Sequence, residues 1–126
     1  MARLDSSTPA PPSPLPRTSA VLSTEVPAQF IRRIVEVLAP EEIWLFGSRA
    51  RGTHHPESDW DLLVVLPNTA TEQQLDLESV WRSLRDLRLQ RVEVLPVTQR
   101  DFEEGKHYLG TLSQIVAVEG TRVYAR

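Results

Sequence analysis

The stretch that constrains this chain most is residues 44–65, WLFGSRARGTHHPESDWDLLVV. An apolar run ends in Gly47-Ser48, two arginines follow, and a polar stretch leads to two acids one residue apart at the mouth of a second apolar run. The second run, Asp61 to Leu66, shows little alternation, which predicts a strand buried on both faces of a sheet. A chain that puts Asp59 and Asp61 at the entrance of such a strand has to account for two charges beside a dry core. At strand periodicity residues i and i+2 leave the same face, so the two carboxylates stand together and Trp60 points the other way into core.

Two carboxylates on one face repel unless a cation sits between them. Hard divalent cations take oxygen ligands, and magnesium is often held by one or two carboxylates plus substrate phosphates. Glu93 extends the set, since it lies between Val92 and Val94 in another predicted strand. With that strand next to the one bearing Asp59 and Asp61, three carboxylates converge. Three are enough to hold two divalent ions about 4 Å apart in an in-line displacement. The Gly47-Ser48 turn supplies a complementary half. Glycine lets backbone approach a ligand closely, and donors at the start of the helical turn from Arg49 to Arg51 suit an anion. Ser48 adds a hydroxyl, and Arg49 and Arg51 add guanidinium forks that match phosphate oxygens. Each part alone has a plainer role: a turn, capping or solvated acids, an edge-strand surface charge. His54 and His55, adjacent in a polar loop, read as solvent-exposed, and Trp44, Trp60 and Trp81 as core. The joint pattern is what points to metal-assisted phosphate chemistry.

The surrounding chain frames this segment. At 126 residues it is long enough for one domain with a modest core. The net charge of −3 gives no global pull toward nucleic acid, so any grip on a polyanion has to be local. Arg32, Arg33, Arg82, Arg85 and Arg88 read as solvated helix faces, with a nucleic-acid footprint as the alternative. The absence of cysteine excludes a disulfide framework, a thiolate zinc site and cysteine catalysis, and fits a cytoplasmic protein. No apolar stretch approaches the roughly 20 residues of a membrane helix. Residues 1–23, with Pro9, Pro11, Pro12, Pro14 and Pro16 among Ser, Thr and Ala, read as a disordered tail, and 24–126 as the folded domain.

Within that domain, Pro27 suits a helix start, and Phe30, Ile31, Ile34 and Leu38 recur at helical spacing until Pro40. Ile43 to Phe46 reads as a strand. Thr71 with Gln74 forms a capping-box pattern, followed by a long helix with Leu77, Val80, Trp81, Leu84 and Leu87 on one face. Arg91 to Val97 is a strand that Pro96 places at an edge or ends. Thr98 with Asp101 opens a short helix, Tyr108 to Val118 a last one stopped by Gly120, and Arg122 to Tyr124 is a final strand. This order gives an α/β or α+β domain: a small sheet covered by helices.

Gly47-Ser48, ten residues, Asp59-Trp60-Asp61 with an apolar residue after it, and then an acid between apolar residues resemble the nucleotidyltransferase superfamily of the DNA polymerase β type. The text FGSRARGTHHPESDWDLLVV is similar to its minimal nucleotidyltransferase branch, small proteins that are often the antitoxin half of a pair with a helical HEPN-type toxin. The resemblance covers about residues 28–125 and is tightest over the central stretch. It implies a small mixed β-sheet flanked by helices, and transfer of a nucleoside monophosphate, AMP from ATP being favoured, to a hydroxyl of a protein or RNA partner with release of pyrophosphate. By position, Gly47 and Ser48 would hold the triphosphate, Asp59 and Asp61 magnesium, and Glu93 would be the third carboxylate that helps activate the acceptor hydroxyl. The third acid is usually Asp in such proteins and is Glu here. The competing expectation is a binding module that keeps the fold and neutralises or scaffolds a partner by contact alone.

Overall fold

A computed structural model describes residues 20–23 and 25–126. Its sheet has five strands: β1 (Ala20–Val21), β2 (Glu42–Phe46), β3 (Trp60–Leu66), β4 (Val92–Thr98) and β5 (Thr121–Ala125). The order across the sheet is β1-β5-β2-β3-β4. All neighbours are antiparallel except β3 and β4, which run parallel, so the sheet is mixed as expected. Seven helices lie among the described residues: α1 (Ala28–Leu38), α2 (Ser48–Arg51), α3 (Glu72–Leu75), α4 (Leu77–Ser83), α5 (Arg85–Arg88), α6 (Gln99–Gly105) and α7 (Leu112–Glu119).

Strand β3 organises the core because both of its faces are covered. Leu62, Val64 and Leu66 pack with Phe30, Ile34 and Leu38 of α1, with Val80 of α4 and Leu87 of α5, and with Leu84 between those two helices. Leu63 and Val65 pack on the other side against Phe102 of α6 and Val116 of α7. Burial of such side chains contributes about 1.5–3 kcal/mol each, so this strand is held hard at a fixed register. By the same parity Trp60 lies on the α1 side, edge-on to Phe30 at 6.0 Å between ring centroids. Asp61 falls on the opposite side, with Leu63 and Val65. Strand β4 is the outer strand, the place where Pro96 removes no needed donor.

Helix α1 follows its pattern: Phe30, Ile31, Ile34 and Leu38 are buried. It stops where Ala39 turns left-handed, with φ 46° and its N–H on the Val35 carbonyl, just before Pro40. The capping box at Thr71 and Gln74 is formed in both directions. The single long helix expected behind it is instead three short ones. Asp76 adopts an extended backbone and its carboxylate accepts the Ser79 N–H at 2.9 Å, so it closes α3 and caps α4. A second break follows at Leu84, with φ −113° and ψ 34°. The last helix also begins later than expected. Gly110 takes φ 90° and Thr111 caps α7, accepting from the Gln114 N–H, which leaves Tyr108 and Leu109 in an exposed turn. The expectation of a disordered tail falls largely on residues outside the described ones. Its last part differs: Ala20–Val21 form strand β1 beside Tyr124 and Ala125. Among the described residues no helix is long and apolar enough to cross a membrane.

Candidate active site

The site lies where β2 ends and β3 and β4 begin. Phe46 pairs with Asp61 across β2 and β3, and Asp61 pairs with Glu93 across β3 and β4. Residues opposite each other in neighbouring strands share a face, so Asp61 and Glu93 stand side by side. Val92 and Val94 on either side of Glu93 are buried in the α1-side core, while Glu93 itself is exposed. The chain then leaves β2 through Gly47, at φ 77° and ψ −158°, a conformation essentially restricted to glycine. The turn passes directly over Asp61: a Cβ at Gly47 would meet an Asp61 carboxylate oxygen and lie 3.2 Å from its Cγ. Gly47 is therefore required twice, once for its backbone angles and once for the carboxylate beneath it. Its carbonyl accepts the N–H groups of Ala50 and Arg51 at 3.1 Å, which opens α2 with Ser48 as its first residue.

The electrostatics follow from this crowding. Partial burial pushes the Asp61 carboxyl above its ordinary value; repulsion from Glu93 and then Asp59, and a hydrogen bond shared with Glu93, push it further. The Arg51 guanidinium acts in the other direction. Arg51 also faces Glu119 at the end of α7, at 3.9 Å. Asp59, just outside β3, is more exposed and faces Arg91 Nη1 at 3.7 Å.

The arginines divide. Arg51 stays near the acids, but Arg49 does not project as a phosphate fork. Its Nε donates to the Ser58 carbonyl and an Nη to the Pro56 carbonyl, both at 3.1 Å, and its guanidinium lies 3.8 Å from the centre of the Trp60 ring. It braces the loop that delivers Asp59 and Asp61. His54 and His55 are exposed; His55 Nδ1 accepts the Glu57 N–H within the same loop. Sequence reasoning missed Arg91. Its φ is 65°, rare for a residue with a side chain, its carbonyl accepts the Trp60 N–H at 2.8 Å, and its guanidinium reaches the Glu57 carbonyl as well as Asp59. It clamps the starts of β3 and β4 together. A basic residue two positions before the third acid was the only sign of it.

Among the described residues no group of three Asp, Glu, His or Cys side chains already stands at metal-holding geometry. Asp61 and Glu93 are in hydrogen-bond reach of each other, whereas Asp59 acts on Asp61 through charge alone and is paired with Arg91. The donor set nevertheless fits a hard cation: all the groups are carboxylates, two are adjacent, and a side chain at Gly47 would fill the cradle over them.

The sequence pattern that defines the nucleotidyltransferase domain matches residues 28–123, from the first turn of α1 into β5. The chain belongs to the nucleotidyltransferase domain family. No curated protein matches it. This nucleotidyltransferase is similar in fold to two solved toxin–antitoxin structures. One, crystallised with AMP-PNP, has a TM-score of 0.55 and 23% identity over 80% of this chain and 75% of that one. The other is a mutant of the toxin–antitoxin MntA-HpeT, with a TM-score of 0.52 and 23% identity over the same shares of the two chains, 80% and 75%. In the nucleotidyltransferase, the match spans every element that builds the Gly47–Asp61–Glu93 arrangement.

Proposed function

We propose that this nucleotidyltransferase transfers a nucleoside monophosphate, AMP from ATP, to a hydroxyl of a protein or RNA partner, with magnesium held by Asp59, Asp61 and Glu93. The observation that carries the reading is the pairing of Asp61 with Glu93 on adjacent strands beneath the Gly47 turn. Gly47 and Ser48, at the start of α2, receive the triphosphate, and Arg51 lies close enough to the acids to add positive charge beside it. When bound, magnesium supplies charge that offsets the triphosphate and polarises the acceptor oxygen. Glu93, the exposed member of the pair, faces the open side and is placed to take the proton of an incoming hydroxyl. Asp59 would be the third carboxylate to hold the cation; its contact with Arg91, at 3.7 Å, is an exposed one.

The likeness in fold to a toxin–antitoxin structure containing AMP-PNP is consistent with ATP as donor and with a role in a toxin–antitoxin pair. The antitoxin half, a helical HEPN-type toxin and a cytoplasmic setting rest on the resemblance of the residue 44–65 stretch alone. The pairing of Asp59 with Arg91 favours a second reading, a binding module that neutralises a partner without chemistry.

Incubation with α-labelled ATP, magnesium and the partner encoded beside it separates the two. Label on the partner, lost in Asp59→Asn/Asp61→Asn, supports the transferase. Normal partner binding with no label on any acceptor supports the module.

A further inference from the structure

The acids at the starts of β3 and β4 have cations beside them, and these are tied down in different ways. Arg51 acts on Asp61 and also faces Glu119 at 3.9 Å. Arg91 places its Nη1 3.7 Å from the Asp59 carboxylate. The strand register explains this second pairing. Trp60 lies opposite Val92 and Asp61 opposite Glu93, so Asp59 and Arg91 are the next pair outward. Both side chains are more than half exposed, and the contact by itself is worth little. What sets Arg91 apart is that its place does not depend on Asp59. Its carbonyl accepts the Trp60 N–H at 2.8 Å, and its Nη1 donates to the Glu57 carbonyl at 3.1 Å. Its backbone adopts φ 65°, which a residue with a side chain keeps only where its surroundings impose it. Two backbone contacts thus anchor a guanidinium beside the acids. With Asp59 and Glu93 it lines a small pocket of about 180 Å³.

We propose that Arg91 is a positioning residue that serves the acids as a built-in counter-cation: its anchored charge steadies Asp59 in the metal-free protein and lowers the affinity of the acids for free magnesium, so that the metal is taken up together with the nucleotide. The proposal rests on the transferase reading above for the role of the acids. A fixed positive charge one side chain away from a divalent ion weakens its binding by about fivefold at low ionic strength, and salt screens most of that effect. A nucleoside triphosphate brings oxygen ligands and several negative charges of its own, which outweigh a single guanidinium. Glutamine at this position keeps a donor for the Glu57 carbonyl and drops the charge, whereas lysine keeps the charge. Both meet the same backbone angle as arginine, so a difference between them reports charge and not strain.

The test is the melting temperature of the full chain as magnesium is raised at low ionic strength, in the parent, Arg91→Lys and Arg91→Gln. Magnesium is added first alone and then with a non-hydrolysable ATP analogue. Without nucleotide, the magnesium concentration that gives half the shift should fall about fivefold in Arg91→Gln and stay within about twofold of the parent in Arg91→Lys. High salt should erase that difference. With the analogue the three proteins should agree within about twofold. Without magnesium, Arg91→Gln should melt lower than Arg91→Lys at neutral pH, because the acids then repel one another with less compensation. A nucleotide-free response that is the same in all three proteins, or that moves equally in the lysine and glutamine variants, would overturn the proposal while leaving the magnesium site standing; Arg91 would then only clamp the strands. If no protein responds to magnesium even with the analogue, the metal reading of the acids falls and the proposal falls with it.

Discussion

The carboxylate of Asp61 sits against the Cα of Gly47, so closely that no side chain fits between the turn and the acid. This one contact joins the turn at the end of β2 to the acids at the start of β3, the two halves of the proposed site, and it fixes their separation.

Substitution at that turn is the harshest single change. Gly47→Ala puts a methyl group on Asp61 and forces φ 77°, ψ −158° on a residue that avoids it. The strain is about 2 kcal/mol, which in a domain of this size is roughly 10 °C of melting temperature. Activity should fall more than a hundredfold even at temperatures where the variant stays folded, because an ångström of displacement misplaces the reacting groups. Thermal denaturation and rate measurements on the same samples check both.

Asp61→Asn should do the opposite to stability. In the metal-free protein the Asp61 carboxyl is held above its ordinary value. The folded state therefore binds the proton more tightly than the unfolded one, and stability falls as pH rises from the ordinary carboxylate range through the raised value. At neutral pH the charged carboxylate is a burden, so the asparagine variant should melt higher than the parent without magnesium. The difference should shrink as pH is lowered into the acid range, and reverse at neutral pH when magnesium and nucleotide are added. Melting curves across pH, with and without magnesium, measure it.

Arg49 offers a test of positioning against ligation. It donates to two loop carbonyls and stacks on Trp60. A lysine keeps the charge but cannot span both carbonyls and cover the ring. Arg49→Lys and Arg49→Ala should therefore lose similar stability, about 2 kcal/mol from charge-assisted hydrogen bonds and the cation–π contact. Neither should raise KM for ATP beyond the fall in kcat. Recovery of activity by lysine alone would mean that Arg49 acts on phosphate.

Asp76 holds the break between α3 and α4. Its hydrogen bonds from the Ser79 side chain and N–H, aided by Arg82, keep its carboxyl below the ordinary value. That contribution is present above the ordinary carboxylate range and is lost as pH falls through the lowered value. Asp76→Ala should melt lower than the parent at neutral pH, and the gap should narrow in acid; Asp76→Asn, still able to cap, should lie between.

The sheet and its helices were legible where pattern and burial coincide. DLLVVL announced a strand covered on both faces, and the parity of Asp61 in that strand with Glu93 between two valines put both on one side. The helix breaks were less visible. Leu77, Val80, Leu84 and Leu87 keep helical spacing across Leu84, and only the backbone angles there show the interruption. Asp76 followed by Ser79 was the missed cap. Tyr108 and Leu109 look like the start of an apolar helix but precede the Gly110 turn. Strand β1 is two residues long, too short for any periodicity. For the arginines, sequence gives charge and position, but partners come only from the fold. Arg49 faces inward to carbonyls and Arg91 clamps two strands, and nothing local distinguishes either from a phosphate ligand.

The central claim is that Asp61 and Glu93, adjacent across β3 and β4, hold magnesium with a nucleoside triphosphate. Calorimetric titration of magnesium into the protein with a saturating non-hydrolysable ATP analogue tests it most directly. The account predicts saturable binding in the parent, its loss in Asp61→Asn, and at least tenfold weakening in Glu93→Gln. Equal magnesium affinity in all three proteins, or none in the parent, would contradict it.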